Sequence, residues 1–243
     1  MSTYHNAVSD KLILFIDDSL LVYSIYGKDN QLKFRVFSSE HEFPDELSSS
    51  IFSVTHVQIV NAKFSLAPLN EENLTSLYEL NHGKSSQLTF NQNEIFKIGF
   101  EKPSALDKLD DKLVNANLIT DIELFYEHGF KLKHPNAIYF YEYGGLLSII
   151  AWKKGSFLLC NRYDVANVDE LFYYIMLVVE QLDIPIESIY VACVSSDEKF
   201  VQYQTVFKNY LPVIERLIGV DSDQKQAEEN DHVLTNFFAQ CVL

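Results

Sequence analysis

Asp17-Asp18-Ser19 is the first group of residues in this 243-residue chain with the makings of chemistry. Two adjacent carboxylates with no basic neighbour repel a phosphate unless a divalent cation intervenes. Asp and Ser also favour an ordinary tight turn, because their side chains bond the backbone nearby. A second group, Glu142-Tyr143-Gly144-Gly145, joins a carboxylate to a glycine pair. A Gly-Gly pair closes a hairpin with no ligand at all. Other signals fail on inspection. Gly83-Lys84-Ser85 resembles the end of a phosphate-binding P-loop, but Tyr78 stands where its first glycine belongs. No G-x-S-x-G supplies a hydrolase elbow. The seven histidines contain no H-x-x-x-H pair, and surface or satisfied positions are expected for them. Cys160, Cys193 and Cys241 are odd in number and lack zinc spacing, so they read as thiols in a reducing compartment.

The bulk composition narrows the field of partners. Lys plus Arg is 19 against 34 for Asp plus Glu, a formal net charge of −15. A surface this acidic repels phosphate backbones, which argues against nucleic acid and anionic membranes. With 47% hydrophobic and 22% charged residues the composition is globular. The start of the chain lacks a basic region followed by an apolar core, and the longest strongly apolar run, Leu171 to Val179, is too short to cross a bilayer. A cytoplasmic protein is expected. The Asn73-Leu74-Thr75 sequon carries no weight without secretion.

The elements that position the two groups follow from hydrophobic periodicity. Lys11 to Asp17, Leu20 to Tyr26 and Leu32 to Phe37 read as three strands joined by tight turns, the second turn being Gly27-Lys28-Asp29-Asn30. A short helix near Pro44 to Phe52 and a strand over Val54 to Val60 follow. Phe64 to Pro68 leads into a helix over Glu71 to Leu80. Asn81 to Asn93 is a loop or edge hairpin, Ile95 to Phe100 a strand, Pro103 to Val114 a helix and Asp121 to His128 a further helix. Ala137 to Tyr143, Leu146 to Trp152 and Phe157 to Tyr163 form a second set of three strands. Asn167 then caps a helix over Val168 to Leu182, with Glu170 completing a capping box. That helix is apolar on most faces and is expected to be buried on several sides, the Phe172-Tyr173-Tyr174 stretch as core. Ser188 to Val194 is a strand, Phe200 to Ile218 a helix broken near Pro212, Asp221 to Asp231 a charged flexible segment, and His232 to Leu243 a final helix.

A shift of 125 residues lays the two meanders over each other without a gap, Ile13 to Leu21 falling on Ile138 to Leu146, Ile25 on Ile150 and Leu32 on Phe157. A meander followed by helix, strand and helix is the order of the ribonuclease H-like fold. Two copies make the architecture of actin-like ATPases. The expected class is therefore α/β, with lobes 1–134 and 135–243, each a mixed sheet opening on an antiparallel meander and flanked by helices. The chain also resembles an uncharacterised bacterial family, a domain of unknown function assigned an actin-like ATPase fold. The resemblance rests on the second meander, on Leu158 to Tyr163, on Asp169 to Leu177 with Glu180-Gln181-Leu182, and on Phe64 to Pro68, and it covers most of the chain.

The resemblance implies a nucleotide cleft with ATP and magnesium as cofactors. Asp17 would be the magnesium-side carboxylate, Asp17 and Ser19 would form one phosphate turn, and Gly144 and Gly145 the other. Glycine is wanted in such turns because backbone N–H groups must approach phosphate oxygens. The chain departs from the pattern in two places. Ser19 replaces a glycine, and Tyr190 to Asp197, where a glycine-rich turn would pack on adenosine, has none. The expectation is a degenerate cleft with no catalytic residue, on a scaffold that acts through another protein. The alternatives are a divergent ATP-binding enzyme or switch of the actin-like superfamily and a plain interaction module with unrelated halves. A two-metal nuclease starting from Asp17 is opposed by the charge.

Overall fold

Turn chemistry cuts the apolar opening of the chain into an antiparallel meander, β1 (Lys11–Ile16), β2 (Leu21–Tyr26) and β3 (Leu32–Ser38). β1 and β2 are buried on both faces, which is why they read as continuous apolar runs. β3 is the terminal strand and stays half-exposed, which is why it alternates. The computed structural model describes residues 10–17, 19–38, 52, 54–60, 63–108, 116–217 and 230–243. The chain divides into two units, residues 1–121 and 122–243.

In the first unit β4 (Val54–Ile59) lies parallel to β1, and β8 (Asn117–Thr120) lies parallel to β4. The sheet order is β3-β2-β1-β4-β8. Between β4 and β8 the chain builds a separate antiparallel sheet from β5 (Phe64–Pro68), β6 (Leu88–Gln92) and β7 (Phe96–Glu101), in the order β5-β7-β6. Helix α1 (Leu74–His82) lies against this small sheet, where Asn81 Nδ2 donates to Ser65 Oγ at 3.2 Å and Ser85 Oγ to Glu101 Oε1 at 2.9 Å.

Helix α2 (Asp121–Leu132) leads into the second unit, which repeats the meander as β9 (Ala137–Tyr143), β10 (Leu146–Lys153) and β11 (Ser156–Asp164). Helix α3 (Val168–Gln181), β12 (Tyr190–Val194), α4 (Asp197–Phe207), β13 (Ile214–Arg216) and α5 (Asn230–Val242) follow. The order β11-β10-β9-β12-β13 reproduces the first sheet strand for strand, with the last two again parallel. The duplication is therefore real in topology, but it is not gapless. Phe15 faces Val22, whereas its counterpart Phe140 faces Ile149, two residues beyond the position that a uniform shift assigns. The cause is the turn: four residues separate Ile16 from Leu21, and two separate Tyr143 from Leu146.

The second sheet is buried on both faces by residues that alternate along each strand. Ile138, Phe140, Ile149, Val191 and Cys193 join Leu171, Ile175 and Val178 of α3 and Tyr203 and Phe207 of α4 in one cluster. On the other face Tyr139 and Tyr141 meet Phe125 of α2 edge-on, and Tyr141 meets Phe238 of α5. Gly129 in α2 permits this approach, because a Cβ there would lie 2.5 Å from the Trp152 ring. A helix-interior glycine costs about 1 kcal/mol against alanine, and the close helix–sheet packing offsets it.

Several expected elements differ. Phe64 to Pro68 is a strand, and the helix starts only at Leu74. Asn117 to Thr120 is a strand too short to show alternation. After Phe207 the chain turns, and Ile214 to Arg216 pairs with β12 instead of continuing a helix beyond Pro212. Helix α3 is buried on one face only. Phe172 and Tyr174 are half-buried and pack against the core cluster as expected, while Tyr173 between them is exposed. Asp18, most of the expected helix near Pro44 to Phe52, residues 109–114 and residues 221–229 lie outside the described residues. Among the described residues no helix is long and apolar enough to cross a membrane.

Candidate functional site: two repeated hairpin turns

The two candidate groups fall at the same place in the two sheets, the first hairpin turn beyond the carboxyl end of the central strand. Ligands of open α/β sheets gather at such ends. In the first unit Asp17 is buried directly after β1. Its Oδ1 accepts from Ser19 N at 2.6 Å, Ser19 Oγ at 2.9 Å and Leu20 N at 2.7 Å. Its own N–H donates to Leu20 O at 3.0 Å. The structure thus brings Asp17 and Ser19 together as partners in a self-capped turn. A metal at Oδ1 would have to displace donors already in place. Among the described residues no group of three or more His, Cys, Asp or Glu is arranged to hold a metal ion.

In the second unit Gly144 and Gly145 form the turn itself, at φ 59° and 78°. Two central residues with positive φ are the pattern of a type I′ hairpin turn, which matches the twist of the flanking strands. The glycines therefore have a conformational reason to be there. Glu142 Oε1 accepts from Gly145 N at 3.1 Å, as Asp17 does from its own turn. The other oxygen, Oε2, is paired with Lys199 Nζ from the first turn of α4. This pair ties the β9–β10 turn to the β12–α4 connection, and both partners are half-buried.

That connection is the glycine-free segment. Ser195 and Ser196 are buried. Ser196 caps α4, its Oγ accepting from Lys199 N at 3.3 Å. Ser195 Oγ lies 3.5 Å from Cys193 Sγ. Burial pushes the Cys193 thiol up to about 12, so it is no nucleophile near neutrality. Burial, and then the nearby Glu142 carboxylate, raises the Tyr203 hydroxyl well above its usual range. Asp197 and Glu198 occupy the first turn of α4, and Asp197 is paired with Arg216. A helix N-terminus attracts anions, but these two carboxylates already take up that potential.

Some buried polar residues near these ends gave no sequence signal. Thr120 and Asp121 are buried at the carboxyl end of β8, and Gln58 is buried in β4. Asp121 sits two strands from Asp17, roughly 10 Å by strand spacing. Recognising β8 as a strand would have marked it. Lys199 was missed for a different reason: nothing local in Asp197 to Phe200 indicates that its ammonium reaches Glu142.

A family model described as a protein of unknown function (DUF3822) matches residues 3–214. No curated protein matches the chain in sequence. A Bacteroides thetaiotaomicron protein with actin-like ATPase fold and unknown function superposes with a TM-score of 0.79 at 15% identity, covering 100% of this chain and 99% of that one. The PilM-PilN type IV pilus biogenesis complex gives a TM-score of 0.56 at 11% identity, over 98% of this chain and 100% of that chain. At these identities the likeness shows the fold, and the fold is the actin-like ATPase fold.

Proposed function

The chain belongs to this DUF3822 family of unknown function, and from that premise we propose that it is a non-catalytic actin-like scaffold that acts through protein interaction. One observation carries the reading. In both repeated turns the carboxylate is already bonded within the protein, Asp17 to three donors and Glu142 to Gly145 N and Lys199. A magnesium–nucleotide at Asp17 Oδ1 or at either Glu142 oxygen would have to break those bonds before gaining any of its own. The buried serines after β12 and the carboxylates heading α4 add to that cost at the second turn. In this reading residues 1–134 and 135–243 are the two lobes of a cytoplasmic protein. Its neighbour in a pilus biogenesis complex supports partner binding as one use of such a scaffold.

Isothermal titration of the full chain with ATP and magnesium tests the reading. No heat of binding and no released phosphate are expected. Micromolar binding with turnover overturns it in favour of a divergent ATP-dependent enzyme. Asp17 would then hold the metal and Gly144-Gly145 would face the phosphates, and Asp17→Ala would abolish the turnover.

A further inference from the structure

Successive residues on a helix point about 100° apart, so three consecutive aromatics fan out around it. On α3, Tyr174 turns toward β11 and stacks on Tyr163 at 4.4 Å between ring centroids. Phe172 turns the other way, meeting Phe207 edge-on at 5.0 Å and Tyr210 at 4.9 Å. Tyr173 stands at the crest, 60% exposed, with Tyr174 beside it at 5.4 Å. Tyr210 is 56% exposed. The result is two ring clusters side by side on α3, Tyr163, Tyr174 and Tyr173 toward β11 and Phe172, Phe207 and Tyr210 toward the turn after α4, which together make an aromatic belt. A solvent-facing helix face is ordinarily polar. Two exposed tyrosines, each resting on a half-buried ring of the same helix, mark a place where something else supplies cover.

The charges that α3 sets beside the belt have one sign. Asp169 lies one turn before Tyr173 on the same face, Glu170 lies beside it and Glu180 two turns beyond, all exposed. Glu170 Oε2 accepts from Ala166 N, so its charge stays at the head of the helix. Asp164 ends β11 and is exposed. Helix α3 has no basic side chain. Arg162 is held by Ser148 and Tyr141 on the opposite face of the sheet, and Lys208 stands at the far end beside Tyr210.

We propose that this belt is the docking surface for a Lys/Arg-rich segment of another protein, with cationic side chains over the tyrosine rings and against Asp169 and Glu180. The inference builds on the scaffold reading and gives its partner a chemistry. Tyrosine faces attract guanidinium and ammonium groups, and the flanking carboxylates strengthen that preference. A second copy would set carboxylates against carboxylates on a chain of net charge −15. A phosphate-bearing partner meets the same repulsion.

Fluorescence anisotropy of the full chain with a fluorescein-labelled twelve-residue peptide alternating arginine and leucine tests the proposal. The same peptide with glutamate for arginine is expected not to bind. Tyr173→Ala is expected to weaken binding of the basic peptide about tenfold, as loss of an aromatic anchor does. Asp169→Lys with Glu180→Lys is expected to weaken it comparably. Glu72→Lys with Glu94→Lys, the same charge change on exposed residues of the first unit, is expected to stay within about twofold, as rim charges do. Both tyrosine and control variants should unfold at the wild-type temperature, since the altered side chains are exposed. Equal weakening by both charge-reversed pairs, or no effect of Tyr173→Ala, overturns the proposal. So does a dimer that Tyr173→Ala converts to a monomer in sedimentation, which would assign the belt to self-association. Nucleotide turnover with peptide binding intact removes the scaffold reading alone, and absence of both removes the docking site alone.

Discussion

Two turns at the same place in two sheets of one topology hold their carboxylates differently. Asp17 is short and spends one oxygen on three donors of its own four-residue turn. Glu142 is one methylene longer and caps a two-residue turn with one oxygen. Its second oxygen reaches Lys199 on another element. The first carboxylate is a local fastener, and the second joins two loops. The glycines follow the same division. The second turn needs them for its positive φ, and the longer first turn does without.

The largest effect that could break this comparison is in the first turn. Asp17→Ala strips the acceptor from two backbone N–H groups and a hydroxyl. Hydrogen bonds to charged groups contribute about 1.5–3 kcal/mol each, and their losses overlap, so a loss of roughly 3 kcal/mol in urea unfolding is expected. Glu142→Gln keeps an acceptor for Gly145 N and is expected to cost only about 1 kcal/mol. Equal losses would mean that the two turns are held alike.

The next largest effect concerns the glycines. At φ 78°, Gly145→Val is expected to destabilise by about 1–2 kcal/mol. Gly144→Asn, compatible with a type I′ turn, should be near neutral. If both cost the same in thermal unfolding, conformation is not what keeps the glycines. Lys199→Met comes third. Its pair with Glu142 is only partly shielded, and about 1 kcal/mol is expected, shrinking as salt is added.

Much of this was legible from residue order, and the failures have physical causes. The meanders, the helices over Asp121–Leu132 and Val168–Gln181 and the Asn167 cap follow from periodicity and turn chemistry, which are local. Asn167 Oδ1 does accept from the N–H groups of Asp169 and Glu170. The two-residue register offset did not show, because apolar strands match one another at many shifts. β8 and β13 are held by parallel neighbours rather than by their own alternation. The Glu142–Lys199 pair joins residues far apart in sequence, and no local pattern encodes it.

The smallest expected effect compares the units through their histidines. Burial lowers the pKa of His56 in the first unit, helped by Lys11, and that of His128 in the second, helped by Lys131. A histidine whose folded pKa is lowered binds its proton more readily when unfolded. Stability is therefore complete above the unfolded value near 6.5 and falls as pH drops through it toward the folded value. Urea midpoints measured from pH 7.5 to 5.5 should decline in the wild type and flatten in part in each of His56→Gln and His128→Gln. His128 lies edge-on to Phe237 at 4.8 Å, so its replacement also removes a ring contact, while His56 Nδ1 has no hydrogen-bond partner to lose. His56→Gln is thus the cleaner variant. A decline equally steep with and without either histidine would place the acid sensitivity in the carboxylates, and the hairpin turns would then be the place to look.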